Sequence, residues 1–115
     1  MPHLILEYSE NIIEKNHLPD LFKQCHLVIA KTLPTKIENC KSRGVACPDY
    51  CLGDGKAGQA FVHVSLKIMP GRTDEVLKQA GQQLMAILRD YFKESAKQYD
   101  LQLTLEISHL ATYFN

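Results

Sequence analysis

The stretch Phe61-Val62-His63-Val64-Ser65-Leu66-Lys67-Ile68, continued by Pro70-Gly71-Arg72-Thr73 and Asp74-Glu75-Val76-Leu77, decides the fold. Its first part alternates. Val62, Val64, Leu66 and Ile68 fall on one side, and Phe61, His63, Ser65 and Lys67 on the other, the period of a strand with one apolar face. Pro70-Gly71 ends that strand. Thr73 can cap a helix, and Asp74 and Glu75 in its first turn complement the helix dipole. Val76, Leu77, Ala80, Leu84, Ile87, Leu88 and Tyr91 then recur at helical spacing as an apolar stripe. Leu101, Leu103, Leu105 and Ile107 alternate with Gln102, Thr104, Glu106 and Ser108, which predicts a closing strand.

The same β-α-β order stands upstream. His3 to Tyr8 alternates, with Leu4, Leu6 and Tyr8 on one face and His3, Ile5 and Glu7 on the other. Residues 9–17 are polar and turn-like apart from Ile12 and Ile13. Asn16 is the expected cap of a helix whose first turn holds Leu18, Pro19 and Asp20, where proline is tolerated because its missing N–H has no intrahelical partner. Leu18, Leu21, Phe22, Cys25, Ile29 and Leu33 form its stripe, and Pro34 stops it. Ile37 to Val45 reads as a second strand. Residues 46–59, with Pro48, Gly53, Gly55 and Gly58, read as a loop or irregular hairpin. The two halves form a loose internal repeat of right-handed crossover units. The expected architecture is an α+β subunit, β-α-β-β-α-β, in a single domain over 1–115, with two helices on one face of a four-stranded sheet. The uncovered sheet face then becomes a candidate surface for contact with another subunit.

Composition bounds the function. Thirteen basic and thirteen acidic residues balance in a chain of 115 residues, 45% of them hydrophobic. That is ordinary globular material. Zero net charge argues against sequence-independent nucleic-acid binding and gives no general attraction to anionic membranes. No apolar run approaches the ~20 residues that cross a bilayer. The start of the chain lacks a basic region followed by a long apolar run, so a cytoplasmic protein is expected. Cys25, Cys40, Cys47 and Cys51 lack the two tight ligand pairs of a structural zinc site, and reduced, partly buried thiols are expected. No metal site and no cofactor motif of the P-loop or Rossmann type is present.

Four residues carry chemical possibilities. Pro2 becomes an N-terminal secondary amine if Met1 is removed. An α-amino group titrates near ~7.7–8.0, and burial or a nearby cation lowers that value toward a competent general base. A strand beginning at His3 would anchor this terminus in a sheet. Arg72 sits between a strand and a helix N-terminus, where backbone N–H groups favour anions and a guanidinium fork matches a carboxylate. Arg43 and Lys41 are two residues apart, hence on one face of a strand. Each cation could equally be a surface charge. Arg89, beside Asp90 on a polar helix face, reads as one.

Met1-Pro2-His3-Leu4-Ile5-Leu6-Glu7, Asn11-Ile12 and Leu18-Pro19-Asp20-Leu21-Phe22 resemble the start of the 5-carboxymethyl-2-hydroxymuconate isomerase family, of the tautomerase superfamily. Ala60 to Ile68, Gly71-Arg72-Thr73 and Ser42-Arg43 resemble its later motifs, so the resemblance runs nearly the whole chain. It implies a homotrimer of β-α-β-β-α-β subunits and cofactor-free isomerisation in the breakdown of homoprotocatechuate. It also implies catalysis by Pro2, with Arg72 and Arg43 on the carboxylates and Lys41 as a further substrate-binding residue. The substrate would be a small dicarboxylate or tricarboxylate. Position 41 is lysine where the family commonly has arginine, and residues 44–51 replace an aromatic-rich segment. Two alternatives stand beside this reading: a tautomerase of another enol acid, and a non-catalytic oligomeric binding module on the same scaffold.

Overall fold

A computed structural model describes residues 1–115. The strands are β1 (His3–Ser9), β2 (Lys41–Cys47), β3 (Gln59–Ile68) and β4 (Asp100–His109). The helices are α1 (Leu18–Thr32), α2 (Asp74–Tyr91) and a short α3 (Lys93–Gln98). The sheet order is β2-β1-β3-β4. β1 and β2 run parallel, as do β3 and β4, and β1 meets β3 antiparallel. This is the expected β-α-β-β-α-β arrangement of two crossover units.

The alternation seen in the sequence is the packing seen in the structure. Leu4, Leu6, Val62, Val64, Leu66 and Ile68 are all essentially inaccessible, beneath the stripes of the two long helices. Burying side chains of this size supplies about 1.5–3 kcal/mol each relative to exposure. Every expected stripe residue of α1 is buried. In α2, Ala80, Leu84 and Leu88 are buried, while Val76, Leu77, Ile87 and Tyr91 pack at the margin. Thr73 caps α2 as expected, its Oγ1 accepting the Val76 N–H at 3.3 Å.

Two expectations need correction, and one short helix is added. The second strand does not begin at Ile37. Residues Ile37–Asn39 form a 3-10 turn closed by the Cys40 N–H on the Ile37 carbonyl, and β2 runs Lys41–Cys47. Pairing sets those limits. Lys41 opposes His3 and Cys47 opposes Ser9, so β2 has the length of β1. Asn16 does not cap α1, because Lys15–His17 winds a 3-10 turn directly into the helix, and the residue before Leu18 makes no side-chain cap bond. The second helical segment breaks at Phe92, a fully buried ring, and α3 leads into β4.

The opposite sheet face carries no helix. His3, Ile5 and Glu7 of β1, Lys41, Arg43 and Val45 of β2, and Phe61, His63, Ser65 and Lys67 of β3 share it by register. None of them is buried. The register also defines two rims. One gathers Pro2, the start of β2, the end of β3 and the end of β4. The other gathers the end of β1, the 46–59 loop and the start of β4.

Candidate active site

The first rim is built by the ends of all four strands. Pro2 is buried, and its carbonyl accepts the Lys41 N–H at 3.1 Å, so the chain start is tied into the sheet rather than frayed. The antiparallel pairing of β1 and β3 sets Lys67 opposite His3, and the parallel pairing of β1 and β2 sets Lys41 on its other side. Arg43, two residues along, reaches back to His3, with Nη1 3.2 Å from Nδ1. Beyond β4, the Leu110 N–H donates to the Ile68 carbonyl at 2.7 Å, which turns the following segment back across the open face. Tyr113 of that segment meets His3 Nε2 at 2.8 Å.

Arg72 lies at the same rim, where β3 passes to α2. Its guanidinium donates to the Met69 and Leu33 carbonyls, each at 2.9 Å. Leu33 closes the C-terminus of α1, so the cation sits at the negative end of a helix dipole. Two contacts leave the guanidinium further N–H donors for a ligand. A surface hollow of about 430 Å³ adjoins it, lined by Leu33, Pro34, Pro70, Gly71, Arg72 and Val76. A groove of about 370 Å³ between α2 and the free edge of β4 contains none of the candidates.

This rim is electropositive and uncompensated. The ion pairs of the structure join His63 to Glu106, Lys93 to Asp90 and Lys97 to Glu94, and none uses Lys41, Arg43, Lys67 or Arg72. The local field is visible on His3. Its pKa is lowered by burial first, then by Arg43, Lys41, the N-terminal amino group and Lys67. Like charges held together in this way are relieved by an anion, and two or more cations suit a substrate with more than one carboxylate.

Three of the four sequence candidates, Pro2, Lys41 and Arg43, gather beside His3, with Pro2 and Lys41 in direct backbone contact, while Arg72 stands at the same end of the sheet on the helix side, bonded to Met69 and Leu33 instead. Lys41 points its ammonium into solvent near the Asn39 carbonyl, at 3.5 Å. Two residues were missed. His3 had no evident partner in the sequence, and Tyr113 lies 110 residues away from it. The only available signal was that His3 directly follows Pro2 and opens the strand face shared with Ile5 and Glu7. The thiols play no visible part here: burial pushes Cys25 up to about 12 and raises Cys40 as well, so both stay protonated, and all four cysteines are unpaired.

The fold and this rim together define a class, the tautomerase-type isomerases. The family model described as 5-carboxymethyl-2-hydroxymuconate isomerase matches residues 2–115, and the chain belongs to that family. It is 34% identical to the 5-carboxymethyl-2-hydroxymuconate Delta-isomerase of Escherichia coli, over 100% of this chain and 91% of the relative. The crystal structure of a 5-carboxymethyl-2-hydroxymuconate isomerase from Deinococcus radiodurans superposes with a TM-score of 0.89 at 33% identity, covering 99% of this chain and 88% of the other. A fused 4-OT protein described as a symmetric trimer shares the fold alone, with a TM-score of 0.65 at 15% identity over 91% of this chain and 84% of that one. The protein is therefore an enzyme, an isomerase acting on a small molecule, and not the non-catalytic module. No helix is long and apolar enough to cross a membrane.

Proposed function

We propose that the protein isomerises 5-carboxymethyl-2-hydroxymuconate, or a close 2-hydroxy dienoic acid, without a cofactor, as a homotrimer of single-domain subunits in the cytoplasm. The observation that carries this reading is the cluster of unpaired cations around the strand-anchored Pro2. Removal of Met1 turns the Pro2 nitrogen into a secondary amine. Burial and the neighbouring cations both disfavour its protonated form, leaving a neutral base near physiological pH.

The steps follow from that base. Pro2 nitrogen takes the proton of the 2-hydroxyl group, and the electron pair it leaves becomes the 2-oxo carbonyl. The dienol π-system shifts, and the protonated nitrogen returns the proton to a distant carbon, giving the 2-oxo-3-ene. Arg72 and Arg43 hold carboxylates and oppose the negative charge that develops on the oxygen, and Lys41 adds a point charge without bidentate geometry. Fixing the substrate between these groups places the donor hydroxyl and the acceptor carbon against one nitrogen. The uncovered sheet face supports assembly, because it offers a whole layer for a neighbouring subunit.

The pH–rate profile of 2-hydroxymuconate ketonisation tests this. A limb in kcat/KM near neutrality that disappears in Pro2→Ala is the expected result. A profile unchanged by that substitution removes Pro2 from the chemistry.

A further inference from the structure

The proposed reaction leaves two side chains of the rim without a task. His3 stands between Arg43 and Tyr113, with Arg43 Nη1 3.2 Å from its Nδ1 and the Tyr113 hydroxyl 2.8 Å from its Nε2. A guanidinium can only donate, so Nδ1 must accept. The imidazole is then neutral and carries its proton on Nε2, which donates to the Tyr113 oxygen. Arg43 thereby dictates the direction of both hydrogen bonds. The two rings also meet edge to face, with centroids 5.7 Å apart at 63°. The segment bearing Tyr113 is itself fastened by the Leu110 N–H on the Ile68 carbonyl.

Arg43 needs such support. It lies on β2, an edge strand, and its side chain is exposed. A long side chain in that setting gives up rotamer freedom when it grips a ligand, and holding it beforehand removes that penalty from binding. The charged side chains facing the imidazole from neighbouring elements are Arg43 and Lys41 on β2 and Lys67 on β3, all of them cationic, and the Met1 amino group adds a fourth positive charge only while Met1 is present. They oppose a second proton on His3, and a doubly protonated ring could no longer accept from Arg43.

We infer that His3 and Tyr113 are positioning residues, a neutral clamp that pre-orients the Arg43 guanidinium for a substrate carboxylate. The inference rests on the proposed role of Arg43 and extends it to the residue after Pro2 and to the last turn of the chain.

Steady-state ketonisation of 2-hydroxymuconate by the full-length enzyme tests it. In Tyr113→Phe, KM rises about three-fold, and in His3→Leu roughly ten-fold, the loss of one hydrogen bond to a charged group, while kcat stays within about two-fold. His3→Gln restores KM, because its amide oxygen can accept from Arg43 and its NH2 can donate to Tyr113. The double variant Arg43→Ala with His3→Leu is no worse than Arg43→Ala alone. Nitrogen NMR of the His3 ring shows the Nε2–H tautomer, and Arg43→Ala releases it. Unchanged KM in His3→Leu, with Arg43→Ala itself impaired, overturns the clamp and spares the carboxylate site. Additive losses in the double variant overturn the clamp as well. A harmless Arg43→Ala overturns the role of Arg43 and the clamp together.

Discussion

The two rims of the sheet handle polar groups in opposite ways. At the rim away from Pro2, most side-chain hydrogen bonds close inside the protein, and only Asn11 Oδ1 and Gln59 Oε1 are buried there without a partner. The Glu14 carboxylate accepts the backbone N–H groups of Glu94 and Ser95 and the Ser95 hydroxyl, and Ser95 Oγ in turn accepts the Ile13 N–H. Ser9 Oγ accepts the Phe61 N–H and donates to its carbonyl, and Tyr91 donates to the Glu14 carbonyl. Ser9 and Ser95 are fully buried. At the Pro2 rim, the cationic side chains of Lys41, Arg43 and Lys67 surround one histidine and none has an acidic partner. A satisfied buried network stabilises one conformation. Like charges held close together without acidic partners do not stabilise the fold. What sets the Pro2 rim apart is positive charge without an acidic partner.

Substitutions at the two rims should therefore separate activity from stability. The largest effect is expected from Pro2→Ala, a fall in kcat/KM of about 10²–10⁴-fold with an unchanged melting temperature, checked by ketonisation assay and calorimetry. Next comes Glu14→Ala at the other rim. It leaves a buried hydroxyl and two N–H groups without their acceptor and should cost about 2–3 kcal/mol in urea unfolding, while kcat/KM of the folded enzyme stays put. Arg43→Ala reverses that pattern, with KM up roughly ten-fold and the urea midpoint unchanged or slightly higher as repulsion is relieved. Thr73→Ala, next to Arg72 at the start of α2, removes a cap and should cost about 1 kcal/mol in urea unfolding.

The smallest effect is on pH dependence. His3 and His26 both have lowered pKa values, from burial first, with cations adding to the effect at His3. As pH falls, the unfolded chain takes up protons near the ordinary value of 6.5 before the folded one does. Stability is thus complete above that value and is lost as pH drops through the lowered ones. Urea midpoints between neutral and mildly acidic pH should decline, and His26→Gln should flatten part of that decline.

The helix-covered face was legible in the sequence because burial on one side forces a period of two on β1, β3 and β4 and a helical period on α1 and α2. The second strand reads from Ile37 to Val45 in the sequence, but its limits were not legible there, since Lys41-Ser42-Arg43-Gly44-Val45-Ala46-Cys47 is an edge strand exposed along most of its length and pairing with β1 sets its ends. Gly44 shows the same dependence: an added Cβ would stand 2.7 Å from Leu18, a contact no local pattern reveals. Pro2, Arg72 and Arg43 could be picked out by position and resemblance, because each sits at a strand start, a turn or a strand face that sequence patterns report. The clamp on Arg43 could not, because His3 and Tyr113 meet only after the whole sheet has formed.

The most direct test compares the same chain with and without Met1, each form verified by intact mass and by an unchanged melting temperature. The processed chain should ketonise 2-hydroxymuconate at least about 100-fold faster in kcat/KM, since only it has a free Pro2 nitrogen. Equal rates from the two forms would contradict an N-terminal proline base.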